Sequence, residues 1–171
     1  MEYNSDNLYI YRMKEDTEIS LDKIDYGILR LMQDNARISN ADIARELGMA
    51  PSAVLERVKK LETKKVIQQY TTRLNPAALQ QKLLAFVFMK AADGLGSSAT
   101  GKELAKIPEV QEVHHIAGED CYLIKIRTTD SASLMDLMRT RFSKIKNILS
   151  TRTTIVLETV KEHQQLIIPE K

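Results

Sequence analysis

Between Ser39 and Pro51 the chain carries helix-stop and helix-start signals that leave it little freedom in what it folds into. Ser39-Asn40-Ala41-Asp42 reads as a capping box. The Ser39 hydroxyl can take an orphan backbone N–H while Asp42 answers from the first turn, where a negative charge suits the helix dipole. Ile43, Ala44 and Leu47 then share one side of a short helix. Gly48 ends it, since glycine enters the left-handed region without a Cβ penalty. Pro51 stands where its fixed φ and missing N–H suit the first turn of the next helix. Val54, Val58 and Leu61 give that second helix an apolar stripe.

Two helices about three residues apart with glycine at the break form a helix-turn-helix. A further helix precedes them over 21–35, where Ile24, Ile28, Leu31 and Met32 fall at i, i+4, i+7 and i+8. The segment Val66-Ile67-Gln68-Gln69-Tyr70-Thr71-Thr72-Arg73-Leu74 is short and β-branched, and predicts a strand that serves as a wing. Asn75-Pro76 closes it. The expected divisions are an N-terminal arm over 1–19, a winged helix-turn-helix over 20–76 and a second domain over 77–171. Met13 is an alternative start for the arm.

On a helix spanning 51–64, the face opposite the apolar stripe displays Ser52, Glu56, Lys59, Lys60 and Thr63, with Ala53 and Arg57 on the flanks. Such a helix fits the major groove of DNA, and base edges are read mostly from its N-terminal residues. Ser52, Ala53 and Glu56 are therefore the candidate base readers. Arg57, Lys59 and Lys60 are the candidates for phosphate contacts that position the protein. Ser39 and Asn40, at the start of the preceding helix, complete the candidate DNA-binding set. The net charge of +2 would not by itself suggest nucleic acid. Its distribution is more telling: Arg57, Lys59, Lys60, Lys64 and Lys65 crowd together with Glu62 as their only acidic neighbour. A basic amphipathic helix alone is as often a solvated face of a packing module. Cap, glycine turn and wing together favour double-stranded DNA as the partner.

The second half alternates. Apolar strands are expected over 83–91, 110–117, 122–128 and within 148–160, with helices over 100–107 and 134–145. The order β-α-β-β-α-β predicts a ferredoxin-like α+β sandwich, one antiparallel sheet with helices on one face. The other face needs cover, and a second subunit is the simplest source.

Cys121 is the only cysteine, so no intrachain disulfide is possible, which fits a reducing compartment. The polar, acidic start is unlike a signal peptide, and no apolar run is long enough to span a bilayer. A cytoplasmic protein without a membrane partner is expected. Cys121 with His114 and His115 lacks the convergent ligands of a metal site. Gly94-Leu95-Gly96 lacks the spacing and the Lys-Ser/Thr of a phosphate loop. No catalytic constellation stands out, so neither enzyme activity, metal nor cofactor is expected. Two other readings remain open: a sensory module docking to protein, and an RNA binder built on the β-α-β-β-α-β order.

The residues also carry a family resemblance over about 20–163. LDKIDYGILRLMQDNARISNADIARELGM, PSAVLERVKKLE, VIQQYTTRLNP, the Gly118 loop followed by YLIKIR, and STRTTIVLETVKE resemble the Lrp/AsnC family of transcription regulators in order and spacing. The resemblance implies a winged helix-turn-helix joined to a ferredoxin-like effector domain. It also implies homodimers that assemble into octamers or similar rings, and sequence-specific regulation in response to an amino acid or related metabolite. Ser52, Glu56, Arg57 and Lys60 fall on the family's reading helix, Gly118, Glu119, Asp120 and Cys121 on its effector loop, and Thr151 and Thr153 on its TRT segment. Chemically, Glu119 and Asp120 can accept from a ligand ammonium, while the loop N–H groups and threonine hydroxyls can donate to a carboxylate. The chain departs from the family pattern at Ala50, often Ser, at Glu56, often basic, and at Cys121, often Asp.

Overall fold

The computed structural model describes residues 19–93 and 97–170. The expected arm, up to residue 18, and the Gly94-Leu95-Gly96 connection lie outside the described residues. The chain divides into two compact units, residues 19–72 with 163–170, and residues 73–162.

The first unit holds α1 (Lys23–Asp34), α2 (Asn40–Leu47) and α3 (Pro51–Thr63). Helix α1 opens with a capping box that the sequence reading overlooked. The Asp22 carboxylate accepts from the Asp25 backbone N–H at 2.8 Å, and Asp25 accepts from the Asp22 N–H at 3.3 Å. Ser39 caps α2 as expected, accepting from Asp42 N at 3.1 Å and donating to its carboxylate at 2.6 Å. Gly48 ends α2 at φ +65°. Ala50 precedes α3 without a side-chain cap, and Pro51 begins the helix. Ile28, Ile43, Ala44, Val54, Val58 and Leu61 form the core. Residues from His163 onward return to α1. Gln33 both donates to Leu166 O and accepts from Leu166 N, at 2.8 and 2.9 Å, and Arg30 donates to Pro169 O at 2.7 Å.

The wing strand expected over 66–74 does not form, and among the described residues no strand precedes Leu83. The reason is local. Val66 and Ile67 turn back on the end of α3, where both backbone N–H groups reach Leu61 O and both side chains pack on the helical core. A strand needs a partner for its backbone, and among the described residues this unit offers no other strand to the segment.

The second unit holds β1 (Leu83–Ala91), α4 (Ala99–Leu104), β2 (Val110–His115), β3 (Tyr122–Thr128), α5 (Ser131–Thr140), a 3-10 turn (Phe142–Lys144) and β4 (Ile148–Ile155). The sheet is antiparallel in the order β2-β3-β1-β4, the ferredoxin-like arrangement. Ala85, Val87 and Met89 of β1 and Tyr122, Ile124 and Ile126 of β3 form its buried face, with Leu104, Ile107, Leu134, Leu137 and Phe142 packed on it. Helix α5 starts earlier than the apolar periodicity suggests, because Asp130 caps it by accepting from Ser133 N at 2.8 Å. It also stops earlier, and the 3-10 turn carries Phe142 into the same core.

Candidate functional site

Helix α3 turns Val54, Val58 and Leu61 into the core and leaves Ser52, Glu56, Lys59, Lys60 and Thr63 exposed, as the helical period requires. Ala53 is half-buried on the flank. Lys59, Lys60, Lys64 and Lys65 have no carboxylate within ion-pair distance among the described residues. Their charge is therefore available to a polyanion. Ser39 is exposed, yet its hydroxyl is engaged with Asp42, and half-buried Asn40 follows it as the first residue of α2.

Arg57 differs from the lysines. Its Nη1 lies 2.7 Å from Asp22 and 2.8 Å from Asp25, so the guanidinium is engaged within the unit. The Asp25 backbone N–H, followed by the Arg57 guanidinium, holds the Asp22 carboxyl below the usual carboxylate range. The same two carboxylates raise the pKa of Arg57, Asp22 contributing more.

The candidate effector residues do not converge within one chain. Gly118, at φ +142°, bends the loop between β2 and β3. Glu119 is exposed on this loop. Cys121 is anchored by its backbone, donating from N to Met89 O and accepting at O from Ile116 N, both at 2.9 Å. Asp120 accepts from Arg152 Nη2 at 3.2 Å, and the Arg152 guanidinium sits 4.1 Å over the Phe88 ring. Thr151 and Thr153 lie opposite Met89 and Val87 in the ladder. Directly opposed residues share a sheet face, so the threonines project on the helix-bearing side. Arg152, between them, projects on the other side with Phe88 and Asp120. The threonine pair and the Asp120 carboxylate are thus divided by the sheet.

Sequence reasoning missed Arg152. The alternation of a strand was the available signal, since it puts the middle residue of T-R-T opposite its neighbours. Asp93 was missed as well. It accepts from Thr100 Oγ1 and Tyr122 Oη, each at 2.7 Å, and from Asn147 at 3.1 Å. Burial raises its pKa, but these hydrogen bonds outweigh burial and lower it overall. Burial, and then the bond to Asp93, push the Tyr122 phenol up to about 12. This cluster ties β1, α4 and β3 together and needs no ligand to explain it.

Comparison with known proteins gives a consistent picture. Residues 21–62 match the family model described as an AsnC-type helix-turn-helix domain, and residues 84–166 match the Lrp/AsnC ligand binding domain. The leucine-responsive regulatory protein of Escherichia coli K12 is 35% identical over 150 residues, 86% of this chain and 92% of its own length. The solved feast or famine regulatory protein from M. tuberculosis, complexed with L-methionine, is 33% identical with a TM-score of 0.80, covering 88% of this chain and 100% of its own. A transcriptional regulator from Neisseria meningitidis, also in complex with L-Met, superposes with a TM-score of 0.79 at 26% identity, over 86% of this chain and 97% of its own.

Proposed function

The chain belongs to the Lrp/AsnC family, and on that premise we propose that it reads operator DNA through α3 and takes its amino-acid effector at the Asp120–Arg152 pair. It is a sequence-specific DNA-binding transcription regulator that responds to an amino acid or related small metabolite; it is not an enzyme. The observation that carries the DNA reading is the exposed face of α3, where Ser52 and Glu56 stand beside Lys59 and Lys60, which pair with no carboxylate among the described residues. Ser52, Ala53 and Glu56 read base edges. Lys59 and Lys60 neutralise phosphates, helped by Ser39 and Asn40 at the N-terminus of α2.

Binding to duplex DNA over a salt series tests this. Lys60→Ala should weaken all sequences alike and reduce the salt slope by about one. Ser52→Ala should change sequence preference instead. Wild-type protein that bound every duplex equally would overturn the reading.

A zwitterionic amino acid needs an acceptor for its ammonium and a donor for its carboxylate. Asp120 and Arg152 supply one of each, and Phe88 offers apolar surface beside them. The threonines across the sheet serve the same ligand only if a second copy contributes them, so the effector site forms between subunits. Two features support assembly as homodimers that build octamers or similar rings. Strand β4 is an edge strand, and Leu149, Leu157 and Val160 in and after it are 62%, 99% and 91% exposed. Apolar surface of that kind marks an association face. The lone, free Cys121 fits work in the cytoplasm. Among the described residues no helix is long and apolar enough to cross a membrane. Calorimetric titration with single amino acids tests the effector, and absence of heat with all of them would overturn it. Light scattering reads the assembly.

A further inference from the structure

Arg57 lies one residue beyond Glu56, on the helix that the proposed function assigns to base reading. Its geometry is unlike a phosphate contact. Asp22 and Asp25 each divide their oxygens between two tasks. Asp22 uses Oδ1 for the N–H of Asp25 and Oδ2 for Arg57. Asp25 uses Oδ2 for the N–H of Asp22 and Oδ1 for Arg57. One guanidinium nitrogen therefore closes the box that starts α1, at 2.7 and 2.8 Å, and cross-links it to α3. The Asp25 side chain is 12% exposed and that of Arg57 32%, so water screens their bond less than a surface pair, whereas Asp22 is 52% exposed. Two carboxylates face one guanidinium, so the cluster presents no net positive charge to a polyanion.

We propose that Arg57 is a positioning residue: by locking α3 to the N-terminus of α1 it sets the rotation of α3 about its own axis, and so aims Ser52, Ala53 and Glu56 at the bases. The proposal rests on the reading of α3 as the DNA-reading helix and assigns Arg57 a task other than the phosphate contact expected from sequence. A helix residue is displaced sideways by any rotation about the axis. A charged nitrogen held between two fixed carboxylates resists such rotation better than apolar packing alone.

The sign of one substitution separates the two roles. Asp22→Asn removes a negative charge near DNA, and on electrostatics alone should tighten binding. Asn caps a helix as well as Asp does, so α1 keeps its start while Arg57 loses a charged partner. The positioning role predicts weaker specific binding instead. Full-length wild type, Asp22→Asn, the pair Asp22→Asn/Asp25→Asn, and Arg57→Gln on each background would be compared by fluorescence anisotropy. The probes are a selected operator duplex and a random-sequence duplex at several salt concentrations, with circular dichroism to establish that each variant is folded. The expected result is a loss of about tenfold in the ratio of specific to random binding, with the salt slope unchanged. Arg57→Gln should add no further loss in the double-Asn background. Unchanged or tighter binding by Asp22→Asn would overturn the proposal. A fall of about one in the salt slope on Arg57→Gln, matching Lys60→Ala, would overturn it too. Failure of the wild type to distinguish the two duplexes would instead overturn the reading of α3 itself.

Discussion

Gly48 has φ +65° and nothing within 4 Å of where a Cβ would stand, so its constraint is purely conformational. Placing an L side chain in that region costs about 1–2 kcal/mol. Two residues later, Ala50 leaves the first N–H groups of α3 without a side-chain acceptor. Ser at such a position typically contributes about 1 kcal/mol. Gly48→Ala and Ala50→Ser should therefore shift stability in opposite directions, the first down by about 1 kcal/mol or slightly more and the second up by about as much. Urea denaturation followed by far-UV circular dichroism measures both. Equal midpoints would mean that the turn between α2 and α3 does not limit the stability of the helical unit. Both positions were legible in the sequence because capping and left-handed turns are local: the residues that satisfy them are at most four apart.

Elements bring in neighbours that sequence spacing does not reveal. Helix α4 is short and lies against β3 through Gly101, where an added Cβ would come within 2.9 Å of the Tyr122 ring. That ring is buried, and its hydroxyl is held by Asp93, so it has little room to move aside. Gly101→Ala should cost about 1–3 kcal/mol through overpacking, despite the better helix propensity of alanine. Tyr122→Phe should relieve none of that clash, since the ring stays while only the hydroxyl goes. A thermal melt of the two single variants and the double checks this: a double variant that recovers wild-type stability would show the clash is misassigned. The element order and the limits of β1 and β3 followed from apolar periodicity and turn residues, while β2 ends at His115, short of the expected 117. The wing did not. Its β-branched composition was read as pairing potential, whereas Val66 and Ile67 serve the helical core.

Across the second unit, the sheet face away from the helices carries a charge network. Glu162 lies beyond β4, yet its carboxylate bonds Lys125 and, at 3.0 Å, Arg127, two residues of β3. Lys125 also reaches Glu112 at 3.0 Å. The hydrogen bond from Lys125 is the main cause that holds the Glu162 carboxyl below its ordinary range. The folded unit thus binds fewer protons at this group than the unfolded chain does. Its contribution is complete above the ordinary glutamate pKa of about 4.3 and is lost as pH falls through the lower folded value. Glu112 is also lowered: its bonds from His114 and Lys125 outweigh burial. Glu162→Gln should destabilise the unit by about 2 kcal/mol at pH 7 and make stability less sensitive to acid below about pH 4. Urea midpoints at pH 7 and pH 3 test this; an unchanged difference between the two would remove Glu162 from the account.

The sequence alone determined the cap and turn that bound α2 and start α3, which faces are apolar, and the β-α-β-β-α-β order, because those follow from backbone sterics and from periods of 3.6 and 2. It also carried the basic face of α3. Only tertiary structure decided how individual charges are spent. Lys59 and Lys60 meet no carboxylate among the described residues, Arg57 closes the α1 capping box from 32 residues away, and Arg152 rather than a threonine meets Asp120. Glu162 is joined to a strand 35 residues earlier. Long side chains reach partners set by the packing of whole elements, and a charge in a sequence carries no record of which partner folding will bring to it.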